Sequence, residues 1–252
     1  MKRRITILGF ITILFFLPEA RADIESATAL FQKGNESYEE GNFDQAIEEY
    51  QKVFDQGMRN SKVFYNLGNA YFRKNQLGKA ILNYRRALSL DPRDEDSIAN
   101  LRFAKLFTLD KIEEQTVNPL VNLLHWFLDL WSMDELTILA SLSYSLSIGF
   151  GILILFTRSK RALFWGLTIL FFGFVVFSSS LGVKLYFDSL KSGVVIAPEA
   201  KVRSGPGEDY TLQFTGHEGL EFQIKGEAES WYRIMLPNGV RGWIPKEAVE
   251  II

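Results

Sequence analysis

Phe64-Tyr65-Asn66-Leu67-Gly68-Asn69-Ala70-Tyr71, followed by Leu77, Ala80, Tyr84, Ala87 and Pro92, decides the reading of the first half of the chain. Related residues stand 34 positions earlier: Gly34 precedes Gly68, Phe43 precedes Leu77, Ala46 precedes Ala80 and Tyr50 precedes Tyr84 by that offset. Small and aromatic residues recurring at this period predict stacked pairs of antiparallel helices. Gly34, Ala46, Gly68 and Ala80 fall where paired helices touch closely, and the aromatics wedge neighbouring pairs together. Gly41 and Asn75 fall in the turns, where left-handed backbone is needed. Pro92 stops the second pair. One pair cannot bury its apolar face alone, so stacking is obligatory. Units 27–60 and 61–94 are complete. Asn100-Leu101, at the offset of Asn66-Leu67, predicts a capping helix over 95–115 or a degenerate third unit.

Residues 23–116 thus resemble the tetratricopeptide repeat family. The resemblance implies a groove lined by the first helix of each pair, with Phe31, Asn35, Tyr38, Tyr65, Asn69, Phe72 and Arg73 as candidate peptide-binding residues, and Glu39 and Phe103 beside them. Asparagines there are suited to bond a ligand backbone and aromatics supply apolar area. The other use of these side chains is packing against residues 107–131 or the membrane. The asparagines resemble part of the carboxylate clamp of chaperone-binding members, but Phe31 stands where lysine is usual and Asn100 where arginine is usual. Capture of a chaperone tail is therefore not expected. The first repeat is acidic (Glu36, Glu39, Glu40, Asp44, Glu48, Glu49, Asp55) and the second basic (Arg73, Lys74, Lys79, Arg85, Arg86, Arg93). Such faces steer a partner or are simply solvated.

Three apolar blocks set the topology. Met1-Lys2-Arg3-Arg4, the apolar run Ile5 to Leu17, Pro18 and Ala20-Arg21-Ala22 read as a secretory signal peptide over 1–22, with an uncleaved anchor as the alternative. Residues 136–156 and 162–183 carry no charge, and each is long enough to span a bilayer as a helix. Between them, the loop 157–161 holds Arg158, Lys160 and Arg161, which places it in the cytoplasm. Residues 23–135 and 188–252 then share the exported, periplasmic face of the inner membrane, on a multi-pass protein. Ser132 and Glu135 match a capping box before the first span. Within 117–135, residues 119–131 with Trp126 and Trp131 read as an interfacial helix, and His125 as an interface residue in it. Small residues in the spans serve either packing of the hairpin on itself or docking of a partner helix.

Beyond Phe187 the pattern becomes that of short strands. Gly193 to Ile196, Ala200 to Arg203, Thr211 to Phe214, Leu220 to Ile224, Trp231 to Leu236 and Val249 to Ile252 alternate, with Asn238-Gly239 as a hairpin signal. About five strands in so short a segment predict a small barrel. Val202-Arg203-Ser204-Gly205-Pro206, Trp231-Tyr232-Arg233-Ile234 and Gly242-Trp243-Ile244 resemble the bacterial SH3-like family over 188–252. That resemblance implies binding of peptide or of cell-wall peptidoglycan. Tyr210, Trp231 and Trp243 are the candidate surface, since stacking needs flat amphipathic rings; the tryptophans are equally suited to the core. His217 reads as structural.

The predicted fold class is multidomain α and β: a helical repeat domain, a two-helix transmembrane hairpin and a small all-β barrel. This order resembles the BatE-like aerotolerance family, which implies a scaffold in an envelope complex beside membrane proteins with von Willebrand A domains from the same operon. Zero cysteines exclude thiolate, disulfide and cysteine–metal chemistry. A net charge of −2 offers no case for nucleic acid. No motif of catalytic spacing is present, and neither a metal nor a cofactor is expected. The expected partners are the membrane, other proteins and peptidoglycan.

Overall fold

The computed structural model describes residues 17–112, 119–157 and 161–252. Residues 5–16 of the apolar run in the signal segment, and Arg158 and Lys160 of the basic loop, lie outside the described residues.

Five helices form the repeat domain: α1 (Leu17–Glu39), α2 (Phe43–Asp55), α3 (Ser61–Arg73), α4 (Leu77–Leu90) and α5 (Glu95–Lys105). The pairs α1/α2 and α3/α4 are joined by turns in which Gly41 (φ 81°) and Asn75 (φ 57°) take left-handed backbone. Gly34 lies under the Tyr50 ring, where a Cβ would meet it at 2.5 Å, and Gly68 lies likewise under Tyr84 at 2.7 Å. The helices approach as closely as they do because these positions lack a side chain. Ala46, Val53, Leu67, Ala70, Ala80 and Ile81 fill the core between them. Within the acidic first repeat, Glu49 is not solvated. It is buried against Lys33, whose Nζ donates to it at 2.6 Å.

Helix α5 ends at Lys105, short of the expected 115. Leu106 and Phe107 close it with tight turns, and Lys111 Nζ donates to the Lys105 and Leu106 carbonyls. This is a side-chain cation at a helix C-terminus, the place its dipole favours.

Next come α6 (Pro119–Asp129), α7 (Met133–Phe156) and α8 (Arg161–Ser189). The side chain of His125 lies outside what is described. The capping box forms: Glu135 N–H donates to Ser132 Oγ at 3.1 Å, and Ser132 N–H donates to the Glu135 carboxylate at 2.8 Å. Helices α7 and α8 are each long and apolar enough to cross a membrane, with mean hydropathy 2.0. Only 11% and 0% of their apolar windows are buried, so they are not core helices of the described body. They pack on each other, with Gly166 under the Phe150 ring and Tyr144 tilted on Phe174 at 5.3 Å.

Seven strands follow: β1 (Ser192–Val195), β2 (Glu199–Arg203), β3 (Leu212–His217), β4 (Glu221–Ala228), β5 (Trp231–Met235), β6 (Arg241–Pro245) and β7 (Val249–Ile251). They form one antiparallel sheet in the order β3-β2-β6-β5-β4-β1-β7. Val195, Val202, Phe222, Ile234 and Ile244 make its core. The Asn238-Gly239 signal does mark a hairpin, but the loop has three residues. Gly239 N–H donates to the Leu236 carbonyl, and Leu236 N–H donates to Val240. Pro237 has no N–H to close a two-residue Asn238-Gly239 turn, so the pair that closes the loop is Leu236 with Val240, and only Gly239 (φ 85°) is left-handed.

The barrel rests directly on the repeats. Val194 is part of the repeat core and Ile252 packs against it. Gly78 N–H donates to Glu218 at 3.0 Å. Arg85 grips Glu221 through two nitrogens at 3.2 and 2.6 Å, and Lys105 adds a third bond at 3.0 Å. Arg86 donates to the Ile251 carbonyl at 2.6 Å, and Asp110 accepts from the His217 backbone N–H at 2.6 Å. Burial opposes ionisation of Glu221, but the two cations outweigh it and hold the carboxyl below its ordinary value. Two repeats are fewer than such arrays normally need. Here the face of α4 and the end of α5 are covered by the barrel instead of by a further helix pair.

Candidate peptide groove and barrel face

The repeat sequence places one asparagine and one buried tyrosine per unit on facing helices, and the two bond. Tyr50 OH donates to Asn35 Oδ1 at 2.8 Å, and Tyr84 OH donates to Asn69 Oδ1 at 2.8 Å. Each carbonyl oxygen also accepts from the next unit: Asn66 Nδ2 to Asn35 at 2.8 Å, and Asn100 Nδ2 to Asn69 at 2.9 Å. Asn100 donates to the Tyr65 hydroxyl as well, at 3.2 Å. Burial pushes the Tyr50 phenol up to about 12 and raises Tyr84 further, so both hydroxyls remain donors. The Asn35 and Asn69 oxygens are thereby saturated from below. Their amide nitrogens have no protein partner among the described residues and are available as donors.

These side chains line one trough. Its first part holds Asn35, Tyr38, Glu39 and Asn66. Its middle holds Tyr38, Tyr65, Asn69, Phe72 and Asn100, and its far end holds Phe72, Arg73, Phe103 and Phe107. Six of the seven expected groove residues thus meet there. Phe31 does not line the trough; it packs half-buried on the core, 6.0 Å from the Tyr50 ring. Asn66 and Phe107 were not singled out as groove residues. Asn66 carries a signal, standing 31 residues from Asn35 on the facing helix, whereas Phe107 lies beyond the last helix and outside the repeat pattern.

On the barrel, Tyr210 is 51% exposed and Trp243 half-buried, but Trp231 is only 7% exposed. Of the two uses open to it, core or surface, Trp231 is therefore buried and offers no open ring. Register aligns Leu212, Arg203, Trp243 and Arg233 across four adjacent strands. Cross-strand partners share a face, so Trp243 lies between two guanidinium side chains. Arg203 is held by Glu208 at 2.5 Å and by the Tyr210 carbonyl at 2.8 Å. His217 is structural, held by Asp110 through backbone and ring. Among the described residues no group of acidic side chains and histidines is arranged to hold a metal ion.

Residues 34–75 and 61–94 match tetratricopeptide repeat families, and residues 198–250 match the bacterial SH3 domain. The chain carries tetratricopeptide repeats and a bacterial SH3 domain. Both are interaction modules, typically without catalytic activity, and between them they support binding to protein or peptidoglycan. RNA polymerase II-associated protein 3 from Rattus norvegicus and from Mus musculus is 33% identical over 94 residues, 37% of this chain. The match spans 14% of the length of those relatives. A solved structure, the first TPR of Spaghetti (RPAP3) bound to an HSP90 peptide, is 23% identical and covers 32% of this chain and 92% of its own, with a TM-score of 0.22.

Proposed function

We propose that this chain is a non-enzymatic scaffold, anchored in a bacterial inner membrane by α7 and α8, which binds partner proteins in the tetratricopeptide trough on the periplasmic side. The observation that carries the binding role is the saturation of the Asn35 and Asn69 oxygens. It leaves a donor from each unit turned toward an extended backbone that needs acceptors satisfied. The shared location of both modules is supported by their contact. Groups that bond across Arg85 and Glu221 must lie on one side of any bilayer that the intervening hairpin crosses. An envelope complex of the aerotolerance type, with von Willebrand A domain proteins as partners, is the setting that the chain's order of modules fits.

A photocrosslinking residue at Tyr65 in intact cells tests the binding role. Capture of one membrane partner, lost with Asn69→Leu, is expected; identical adducts with and without that change would refute it. The chain has no cysteine, so single cysteines at Lys62 and Lys201 report topology cleanly. Both should react with an impermeant maleimide from the periplasm.

A second reading, wall anchoring through the SH3 domain, is favoured by the pairing of Trp243 with the exposed Arg233, a flat ring beside a cation suited to anionic glycopeptide. Co-sedimentation with purified sacculi, abolished by Trp243→Ala in a protein that still folds, would support it.

A further inference from the structure

The far end of the trough holds a feature that backbone recognition does not require. Phe72, Phe103 and Phe107 form a triangle, with ring centroids 5.7, 5.9 and 5.1 Å apart. Phe72 is half-buried against the repeat core, but Phe103 is 50% exposed and Phe107 58%, and Leu106 beside them is 67% exposed. A cluster of this size held open to solvent marks an interaction site. With Arg73, Asn75 and Leu77 the rings line a notch of about 420 Å³, continuous with the middle of the trough through Phe72, Arg73 and Phe103.

The charges along the trough run in one direction. Glu39 lines the first part, and Glu36 and Glu40 neighbour it on or beside α1. Arg73 lines the far part, its guanidinium 4.9 Å over the Phe43 ring, and it makes no ion pair among the described residues. Between them the middle is lined by Tyr38, Tyr65, Asn69, Tyr84 and Asn100, with Arg73 at its border as its one charged group. Asn100 stands where the arginine of a carboxylate clamp is usual, so a free carboxyl terminus has Arg73 alone to meet, and a bound chain is expected to pass through and not to end.

We propose that the trough takes an extended internal segment of a partner protein whose large apolar side chain, aromatic or branched aliphatic, seats among Phe72, Phe103 and Phe107. A carboxylate next to that side chain pairs with Arg73, and a basic residue lies toward Glu39. This specificity rests on the peptide-binding reading above and adds to it the anchor and the direction of the chain.

The test uses the full chain in phosphatidylcholine nanodiscs and a phage library displaying random peptides with both ends embedded. The expected selection is a large apolar residue flanked on one side by an acidic residue and on the other by a basic one. The selected sequence, as a labelled peptide capped at both ends, is then measured by fluorescence polarisation. Phe103→Ala and Phe107→Ala, both at exposed positions, should each weaken it about tenfold, and Arg73→Glu at least as much, with thermal midpoints unchanged. If Asn69→Leu abolishes binding while Phe103→Ala and Phe107→Ala leave it intact, the groove stands and the anchor is wrong. If no peptide is selected, or none of these changes matters, the groove reading fails with it. A change in oligomeric mass by light scattering on Phe103→Ala, without any effect on peptide, would make the cluster a contact between copies and overturn the proposal.

Discussion

Gly78 and Val195 approach so closely that a methyl group on the Gly78 Cα would stand inside van der Waals distance of the Val195 carbonyl oxygen, and 2.9 Å from Glu218 Cγ. In an exposed helix, alanine in place of glycine stabilises by about 1 kcal/mol. Here Gly78→Ala should do the reverse, because the contact is backbone against backbone and neither side can yield alone. We expect a loss of about 1–3 kcal/mol, as for other overpacked sites. Hydrogen exchange should quicken in α4 and β1 together while β5 and β6 keep their protection.

The ion cluster at Glu221 makes the same interface sensitive to acid. Its carboxyl lies lower in the folded protein than in the unfolded chain, where it is about 4.3. Its contribution is therefore complete above about pH 4.3 and is lost as the pH falls through the lower, folded value. Protection of β1 and α4 should be constant from neutral pH to about pH 5 and collapse below about pH 4. Glu221→Gln should weaken the interface already at pH 7 and remove that acid step.

Gly34 and Gly68 hold equivalent places under Tyr50 and Tyr84, and their replacement should have equivalent effects. Gly34→Ala and Gly68→Ala are each expected to cost about 1–3 kcal/mol, measured by thermal unfolding followed in the helical circular dichroism band. An unchanged midpoint for either would show that the rings slide aside freely.

Ser132→Ala removes one half of the capping box at α7. The loss should be about 1 kcal/mol, and the Glu135 carboxylate, which keeps the backbone N–H of position 132, should still hold Arg93. Glu135→Ala removes the other half of the box and the ion pair to the repeats. Only that second change should raise proteolytic sensitivity near Pro92, which a time course of limited digestion would resolve.

Much of this architecture was legible in the chain itself. The offset from Gly34 to Gly68 announced helix pairs, the uncharged blocks announced the two long helices, and alternation beyond Phe187 announced strands. Candidate groove residues followed from repeat position, since a helix fixes which residues share a face. Phe31 and Trp231 escaped that logic. Either residue type is at home in a core or on a binding surface, and burial depends on neighbours from distant segments. The hairpin loop with Pro237 was legible as a turn, though its length was decided by the proline.

Sequence alone determined the local elements and their order, because helical and strand periodicity, turn residues and apolar length act between residues close along the chain. Tertiary structure decided that barrel and repeats form one body. That contact joins Arg85 to Glu221 and Gly78 to Val195 across the two long apolar helices. No periodic pattern connects such positions; only the shapes and charges of two finished surfaces bring them together.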